Sequence, residues 1–459
     1  MAALVAVVAA LLLGAFTWAG TLFNGDEATY ALFARVMREG GDWLHLRLGG
    51  EILHQRPPLY PWLLGLSTSL LGENAFALRL PSVLAGAGTA AFLYLLARRV
   101  LPTGAALTAA LLHPTLALVF RYDRAVVSDA VLTFFCVGSI YFWLGEGKKS
   151  AIWAGLFLGA ALMTKQIVGF LPLVALLGTR RRALLVLGVG LLVAAPWHAL
   201  MLAEHGRAFV DGYLGFNVID RAAHSILPPT SFTYYFEVLW AQEGVIVVFA
   251  GLGVALSLAR WARTREPFWL LVPAWLVGVV GVFTLASSRI DYYLVPAMPA
   301  FALAAAVPIA WIERPRLMGL AGAALVVTSA ALHVPQRITD VRKSPEIAAI
   351  AEHARDVAPP EVPLVVIDDL PFSPELYARR RVILVVTNQA NHDRIAGIDL
   401  FAVPGNLRHV PLAELPRFLG EQPAFVAIEA KRSLAEHGLP LGTRLLATAP
   451  GYVLYGRWP

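Results

Sequence analysis

The first 41 residues read MAALVAVVAALLLGAFTWAGTLF (1–23) and then NGDEATYALFARVMREGG (24–41). The first part is apolar over about the length a helix needs to cross a bilayer core, roughly 20 residues at 1.5 Å each. It lacks a basic leading region, and its apolar stretch exceeds what a signal peptide needs, so a retained helix is expected. The second part changes character at once. Two adjacent carboxylates, Asp26 and Glu27, head a segment of helical period with Tyr30, Phe33, Ala34 and Met37 on one face. Arg35, Arg38 and Glu39 fall on the other face, and Gly40-Gly41 supply a stop. Such a helix is expected to lie in the membrane interface.

The rest of the chain repeats the first pattern. Of 459 residues, 58% are hydrophobic and only 15% charged, a balance that a soluble surface of this size does not support. The reading is a polytopic α-helical membrane protein. About eleven apolar runs reach span length, near 3–23, 81–97, 104–120, 125–144, 151–163, 167–178, 183–200, 243–259, 267–286, 291–311 and 316–333. Basic residues cluster between them: Arg98-Arg99, Lys148-Lys149, Arg180 to Arg182, Arg260 with Arg263 and Arg265, and Arg314 with Arg316. These clusters fall at every second loop, as the positive-inside rule requires of cytoplasmic loops. The basic balance, with pI near 9.5, therefore reports topology, and no nucleic-acid partner is expected. Parity leaves 24–80, 121–124, 164–166, 201–242, 287–290 and everything after 333 on the outer face. The lone Cys136 lies within an apolar run and is expected to pack there.

Two regions depart from the spans. In the first outer loop, 24–80, Pro57-Pro58 break the chain before LYPWLLGLSTSLL, read as a second interfacial helix. After His333 the composition shifts to short β-rich runs, PLVVID, RVILVV, DLFAVP, AFVAIEA and GYVLYG, with a helical PEIAAIAEHARDV among them. Residues 334–459 thus read as a small α/β domain on the outer face, and 1–333 as the membrane domain.

Ionisable groups in or at a membrane are costly, so their positions carry information. Asp26 either caps the helix it heads or stands as a rigid carboxylate base, with Glu27 complementing the helix dipole. In QRPPLY (55–60) the prolines keep Arg56 off a helix, and its planar fork suits phosphate oxygens. Tyr60 ends that motif. RYDR (121–124) precedes Asp129, which pairs either Arg121 or Arg124. Lys165, in TKQ, interrupts apolar sequence with no basic cluster around it, and an outer-face lysine is a natural counter-charge for a lipid phosphate, snorkelling being the bland alternative. Arg289-Ile290-Asp291-Tyr292-Tyr293 forms another such cluster, and Phe216-Asn217 with Arg221 and His224 sits in the long outer loop. No set of His, Cys or carboxylates has recognisable metal spacing, so neither metal nor cofactor is expected.

Taken together, GDEATYA, RPPLYPW, RYDRAVVSDA, MTKQ and RIDYYLVPAMP resemble, in order, the motifs of the GT-C glycosyltransferases that use polyprenyl-phosphate sugars. The nearest likeness is to the bacterial lipid A aminoarabinose transferases, related to the protein O-mannosyltransferases. It covers about Asn24 to Pro299. The resemblance implies an inverting transfer from a polyprenyl-phosphate-linked sugar to a lipid, glycan or protein acceptor at the outer face of the bacterial inner membrane, with the C-terminal domain periplasmic. It implies Asp26 as the catalytic carboxylate, supported by Glu27. Arg56, Lys165 and Arg289 become cations for the departing phosphate, with Tyr293 a hydrogen-bond donor to it. Tyr60, Arg121, Asp129 and Arg221 complete the expected substrate-binding set. Gln55 stands where those transferases usually carry an acidic residue, and the acidic-His pair ahead of Arg221 is replaced by Asn217-Val218.

Two other classes compete. A transporter or flippase of polyprenyl-linked intermediates predicts polar residues at mid-membrane and paired halves, whereas here the polar residues gather at one face. A scaffold whose Asp368-Asp369 pair binds a metal-nucleotide is less economical, because that pair ends a strand where a turn suffices.

Overall fold

The computed structural model describes all residues except 178, 221–222, 224–229, 341–342, 381, 388–406, 430–438 and 459. The side chains of 216–218, 220 and 407 are likewise outside the description. Arg221, His224 and the expected DLFAVP strand thus lie outside the described residues, as do the side chains of Phe216 and Asn217. The chain forms two compact units, one of Met1–Thr17 with His54–Asp340, the other of Trp18–Leu53 with Val341–Pro459. Residues 18–53, carrying Asp26, therefore group with the C-terminal residues, where the sequence reading had placed them in the membrane domain.

The first unit is helical. Among the described residues, six helices are long and apolar enough to cross a membrane: Ala75–Ala97, Ala183–Gly215, Ile246–Thr264, Phe268–Leu285, Asp291–Trp311 and Pro315–Arg337. Shorter apolar helices include Ala2–Gly14, Leu59–Leu71, Asp129–Trp143 and Ile167–Leu177. The expected count of about eleven is thus not matched by length alone. The run at 104–120 shows why: Thr103–Leu112 ends at His113-Pro114, and a separate helix begins at Ala117. Sequential helices pack side by side. At the crossing of Gly147–Leu162 with Ala183–Val210, a Cβ on Gly155 or Gly159 would fall 2.6 or 2.5 Å from the Cβ of Val189 or Val193. The two glycines thus set the closeness of that contact, as small residues do between membrane helices.

Helix ends need partners for their last carbonyls, and a buried arginine supplies several. Arg124 donates from Nε to the Leu13 carbonyl (2.9 Å), from Nη1 to Arg337 (3.1 Å) and from Nη2 to Ile338 (3.0 Å) and Ala15. It thereby closes the C-terminal ends of Ala2–Gly14 and Pro315–Arg337, with favourable charge for both helix dipoles. Arg79 adds a bond to the Thr17 carbonyl at 3.0 Å. At the other pole, the buried Glu243 carboxylate accepts from Ala117 N (2.9 Å) and Leu118 N (3.0 Å), capping the helix Ala117–Tyr122.

The second unit combines a helix from the N-terminal part with an α/β sheet. The helix Asp26–Gly40 stops at Gly41, whose left-handed φ of 72° lets its N–H reach the Met37 carbonyl. Its burial is broader than one apolar face: Arg35, expected in solvent, is 8% exposed. A two-residue hairpin follows, strands β1 (Arg47–Leu48) and β2 (Glu51–Ile52). The larger sheet holds β3 (Leu364–Ile367), β4 (Val382–Val386), β5 (Leu407–His409), β6 (Phe425–Glu429), β7 (Arg444–Ala449) and β8 (Tyr452–Arg457) in the order β5-β4-β3-β6-β8-β7. Strands β5, β4, β3 and β6 run parallel, while β8 and β7 add antiparallel. Four of the expected strands are present. The run PLVVID is apolar throughout because β3 lies centrally with all four residues buried. The edge strand β7 was not legible, since most of its residues are half or fully exposed.

Replacing Arg124 by leucine is expected to destabilise the protein by about 3 kcal/mol or more, since several buried carbonyls lose their donor at once. Arg124→Lys should recover part of the loss. Thermal unfolding of the purified protein in detergent checks both.

Candidate functional site

Three of the sequence-selected residues of the first unit, Asp129, Lys165 and Tyr293, meet at the junction of three segments. The turn after Gly147–Leu162 carries Lys165, the first residue of Asp129–Trp143 is Asp129, and the 3-10 turn Asp291–Ala297 opens with Asp291-Tyr292-Tyr293. Lys165 Nζ lies 2.7 Å from Asp129 Oδ1 and stands over both tyrosine rings, 5.4 Å from the Tyr292 centroid and 5.3 Å from that of Tyr293. An ammonium held by one carboxylate and two aromatic faces is strongly localised. Asp129 is 3% exposed, and its position at a helix start suits its negative charge. Neither of its expected partners, Arg121 or Arg124, holds it.

Those two arginines diverge. Arg124 closes helix ends as described, and Arg121 turns to Asp291, Nη1 to Oδ2 3.4 Å. The Tyr122 hydroxyl donates to the other oxygen of Asp291 at 2.6 Å. Burial, and then the charge of Asp291, pushes the Tyr122 phenol well above its ordinary range, so it stays a donor. Asp123, in the turn after Tyr122, is also pushed well above the carboxylate range by burial and by the neighbouring charge of Asp129. Tyr122 and Tyr292 then meet edge to face at 5.7 Å, joining the two clusters.

The QRPPLY motif is stitched to the same turn. Leu59 N donates to the Met163 carbonyl at 3.1 Å, and Gln166 Nε2 donates to the Gln55 carbonyl. Pro57 and Pro58 are buried and Arg56 is half-buried. Tyr60 is fully buried, with its hydroxyl 3.0 Å from Ser82 Oγ, and serves packing. Arg289 also does something other than expected. Its Nε and Nη2 donate to the Thr284 carbonyl at 3.1 and 2.9 Å and its Nη1 to the Thr230 carbonyl at 2.8 Å. It fastens the end of Phe268–Leu285. Tyr293 stacks on Phe283 at 4.6 Å and is 7% exposed.

In the second unit the two acidic residues have separate jobs. Gly25, not Asp26, is the N-cap, and no side chain caps there. Glu27, 3% exposed, accepts from Phe23 N at 2.8 Å and so ties down the segment leading into the helix. Asp26 occupies the first helical position and is half-buried.

Asp291 and Tyr292, central to the first-unit cluster, stood in the Arg289–Tyr293 cluster of the sequence but were given no role of their own. The available signal was an ionisable residue abutting an apolar run, the same signal that picked out Lys165. Nor could spacing reveal that His54 and His205, 151 positions apart, lie with ring centroids 4.6 Å from each other.

With this geometry in view, comparisons with known proteins are informative. The family profile described as dolichyl-phosphate-mannose-protein mannosyltransferase matches residues 55–203. An undecaprenyl phosphate-alpha-4-amino-4-deoxy-L-arabinose arabinosyl transferase of Edwardsiella ictaluri is 28% identical over 305 residues, 61% of this chain and 54% of its own length. The chain thus spans about half the length of the curated relatives it matches. Among solved structures, ArnT from Cupriavidus metallidurans bound to undecaprenyl phosphate superposes with a TM-score of 0.78 at 18% identity, over 99% of this chain and 97% of that one. The archaeal oligosaccharyltransferase AglB from Archaeoglobus fulgidus, in complex with an inhibitory peptide and a dolichol-phosphate, gives 0.58 at 13% identity, over 99% and 74%. The fold is that of the GT-C membrane glycosyltransferases. Within that class the chain resembles the aminoarabinose transferases.

Exchanging Lys165 for methionine should destabilise the protein by about 3 kcal/mol, because Asp129 is left as an uncompensated buried charge. Adding Asp129→Leu should restore most of that stability. Chemical unfolding of the single and double variants checks the coupling.

Proposed function

We propose that this chain is a glycosyltransferase that moves a sugar from a polyprenyl-phosphate donor to a lipid, glycan or protein acceptor at the outer face of the bacterial inner membrane. The observation that carries the reading is the Lys165 site: a lysine held by Asp129, both within the stretch matched by the mannosyltransferase profile, and faced by Tyr292 and Tyr293. Displacement at the anomeric carbon releases a polyprenyl phosphate, and a fixed cation lowers the barrier by stabilising the charge that develops on it. Lys165 and Arg56 take that role. Arg289 and Tyr60 leave the set, since backbone carbonyls and Ser82 engage them.

Asp26 is assigned to the acceptor. Its carboxylate removes the proton of an attacking hydroxyl, or orients an acceptor that is already ionised, and direct attack gives inversion. Glu27, busy with Phe23 N, supports the helix on which Asp26 stands. The aminoarabinose relatives make 4-amino-4-deoxy-L-arabinose on undecaprenyl phosphate the first donor to try, and lipid A the first acceptor. The reaction in this form calls for no metal or other cofactor, and the C-terminal sheet lies on the periplasmic side together with Asp26. The full span set is the eleven of the sequence reading, with Leu59–Leu71 kept in the interface.

The full chain in proteoliposomes, given that donor or other polyprenyl-phosphate sugars with lipid A or envelope lipid extract, should release polyprenyl phosphate. Asp26→Asn should slow release about a hundredfold or more, and Lys165→Gln should raise the donor KM and lower kcat. Near-normal turnover by Asp26→Asn, or no release with any donor, would overturn the assignment.

A further inference from the structure

Two residues ahead of Asp26, Asn24 is a polar side chain that the proposed chemistry does not use, yet it is only 7% exposed. Its carboxamide is engaged at both ends. Nδ2 donates to the Leu370 carbonyl at 3.1 Å, and Oδ1 accepts from Ser373 N at 2.9 Å. A carbonyl on one side and an N–H on the other fix which atom is which, and no other side chain of this length both donates and accepts in one plane.

The backbone around it is tied to the same unit. Leu22 N donates to the Tyr377 hydroxyl at 2.8 Å, and the Thr21 hydroxyl donates to the Lys343 carbonyl at 2.6 Å. Asn24 N donates to Ser344 Oγ at 3.2 Å. Ser344 is the N-cap residue of Pro345–Val357, but its hydroxyl does not cap that helix. It sits instead at a left-handed φ of 50°, unusual for serine. That a cap position faces away from its own helix and toward Asn24 indicates that the Asn24 contact constrains the loop. The helix Phe372–Ala378 also packs on Asp26–Gly40.

We propose that Asn24 is a positioning residue for Asp26: it locks the start of the Asp26 helix to Leu370 and to the first turn of the helix Phe372–Ala378, so that the C-terminal domain sets the aim of the reacting carboxylate. The inference rests on the assignment of Asp26 above. Asp26 stands at the first helical position, where the backbone is held by few helical bonds of its own. A displacement of about 1 Å there is enough to cost a hundredfold in rate. A tether two residues upstream, locked by two side-chain bonds and one backbone bond, removes that freedom.

The test compares Asn24→Ala with Ser344→Ala in the full chain, using polyprenyl-phosphate release in the assay above and amide hydrogen exchange without substrate. Asn24→Ala should lower kcat about tenfold or more while the donor KM changes less than about twofold. Ser344→Ala, which removes one bond from the opposite side, should lower kcat in the same direction by less. Exchange at the amides of 26–30 should quicken in both, while the helices of the first unit stay protected. Three results would overturn the proposal: unchanged exchange at 26–30, kcat within about twofold of wild type, or equal damage to KM and kcat with a general loss of protection. If Asp26→Asn abolishes release while Asn24→Ala does not impair it, only the positioning role fails. If Asp26→Asn is active, the assignment of Asp26 fails and this role with it.

Discussion

A helix in hydrocarbon cannot leave its last carbonyls to water, and this constraint decides what most of the buried charges do. Arg124 serves two helix ends at once, Arg289 another, and Glu243 the opposite kind of end, an N-terminus with two waiting N–H groups. Each of these side chains is ionisable and lies near an apolar run, so each has the outward appearance of a functional group. Their partners show otherwise. A guanidinium that bonds several backbone carbonyls is committed chiefly to the fold.

Beside these, two linked clusters of charge lie in the first unit. Asp129 holds Lys165, while Asp291 holds Tyr122 and Arg121, and the tyrosine rings of 122, 292 and 293 lie between. The arrangement is suited to binding charge without neutralising it. Lys165 is held by one carboxylate and faced by two aromatic rings. A departing phosphate is the kind of anion that such a cation stabilises.

Asp26 illustrates a division of labour between adjacent acids. Both stand in the first turn of the same helix, where the sequence offered Asp26 as its cap and Glu27 as a complement to its dipole. Glu27 reaches back to Phe23 N, so Asp26 is not needed for that bond. The two carboxylates are separated by one methylene of reach and by one helical step, roughly 100°.

Much was legible in the sequence because it rests on short-range physics. Apolar runs of bilayer length, the 26–40 helix with its glycine stop, the buried strands of the C-terminal sheet and the candidate lysine all follow from periodicity, from turn chemistry and from the cost of charge in an apolar setting. The partners did not follow, because they are long-range. Nothing near Asp129 in sequence says that its cation is Lys165 and not Arg124, or that Arg289 faces Thr284 and Thr230. The same holds for the grouping of residues 18–53 with 341–459, which Asn24 joins across some 350 positions. Sequence alone therefore decided where helices, strands and costly charges occur. Only the tertiary structure decided which partner each charge meets, and so which of them fasten helix ends, because those donors and acceptors lie far away along the chain.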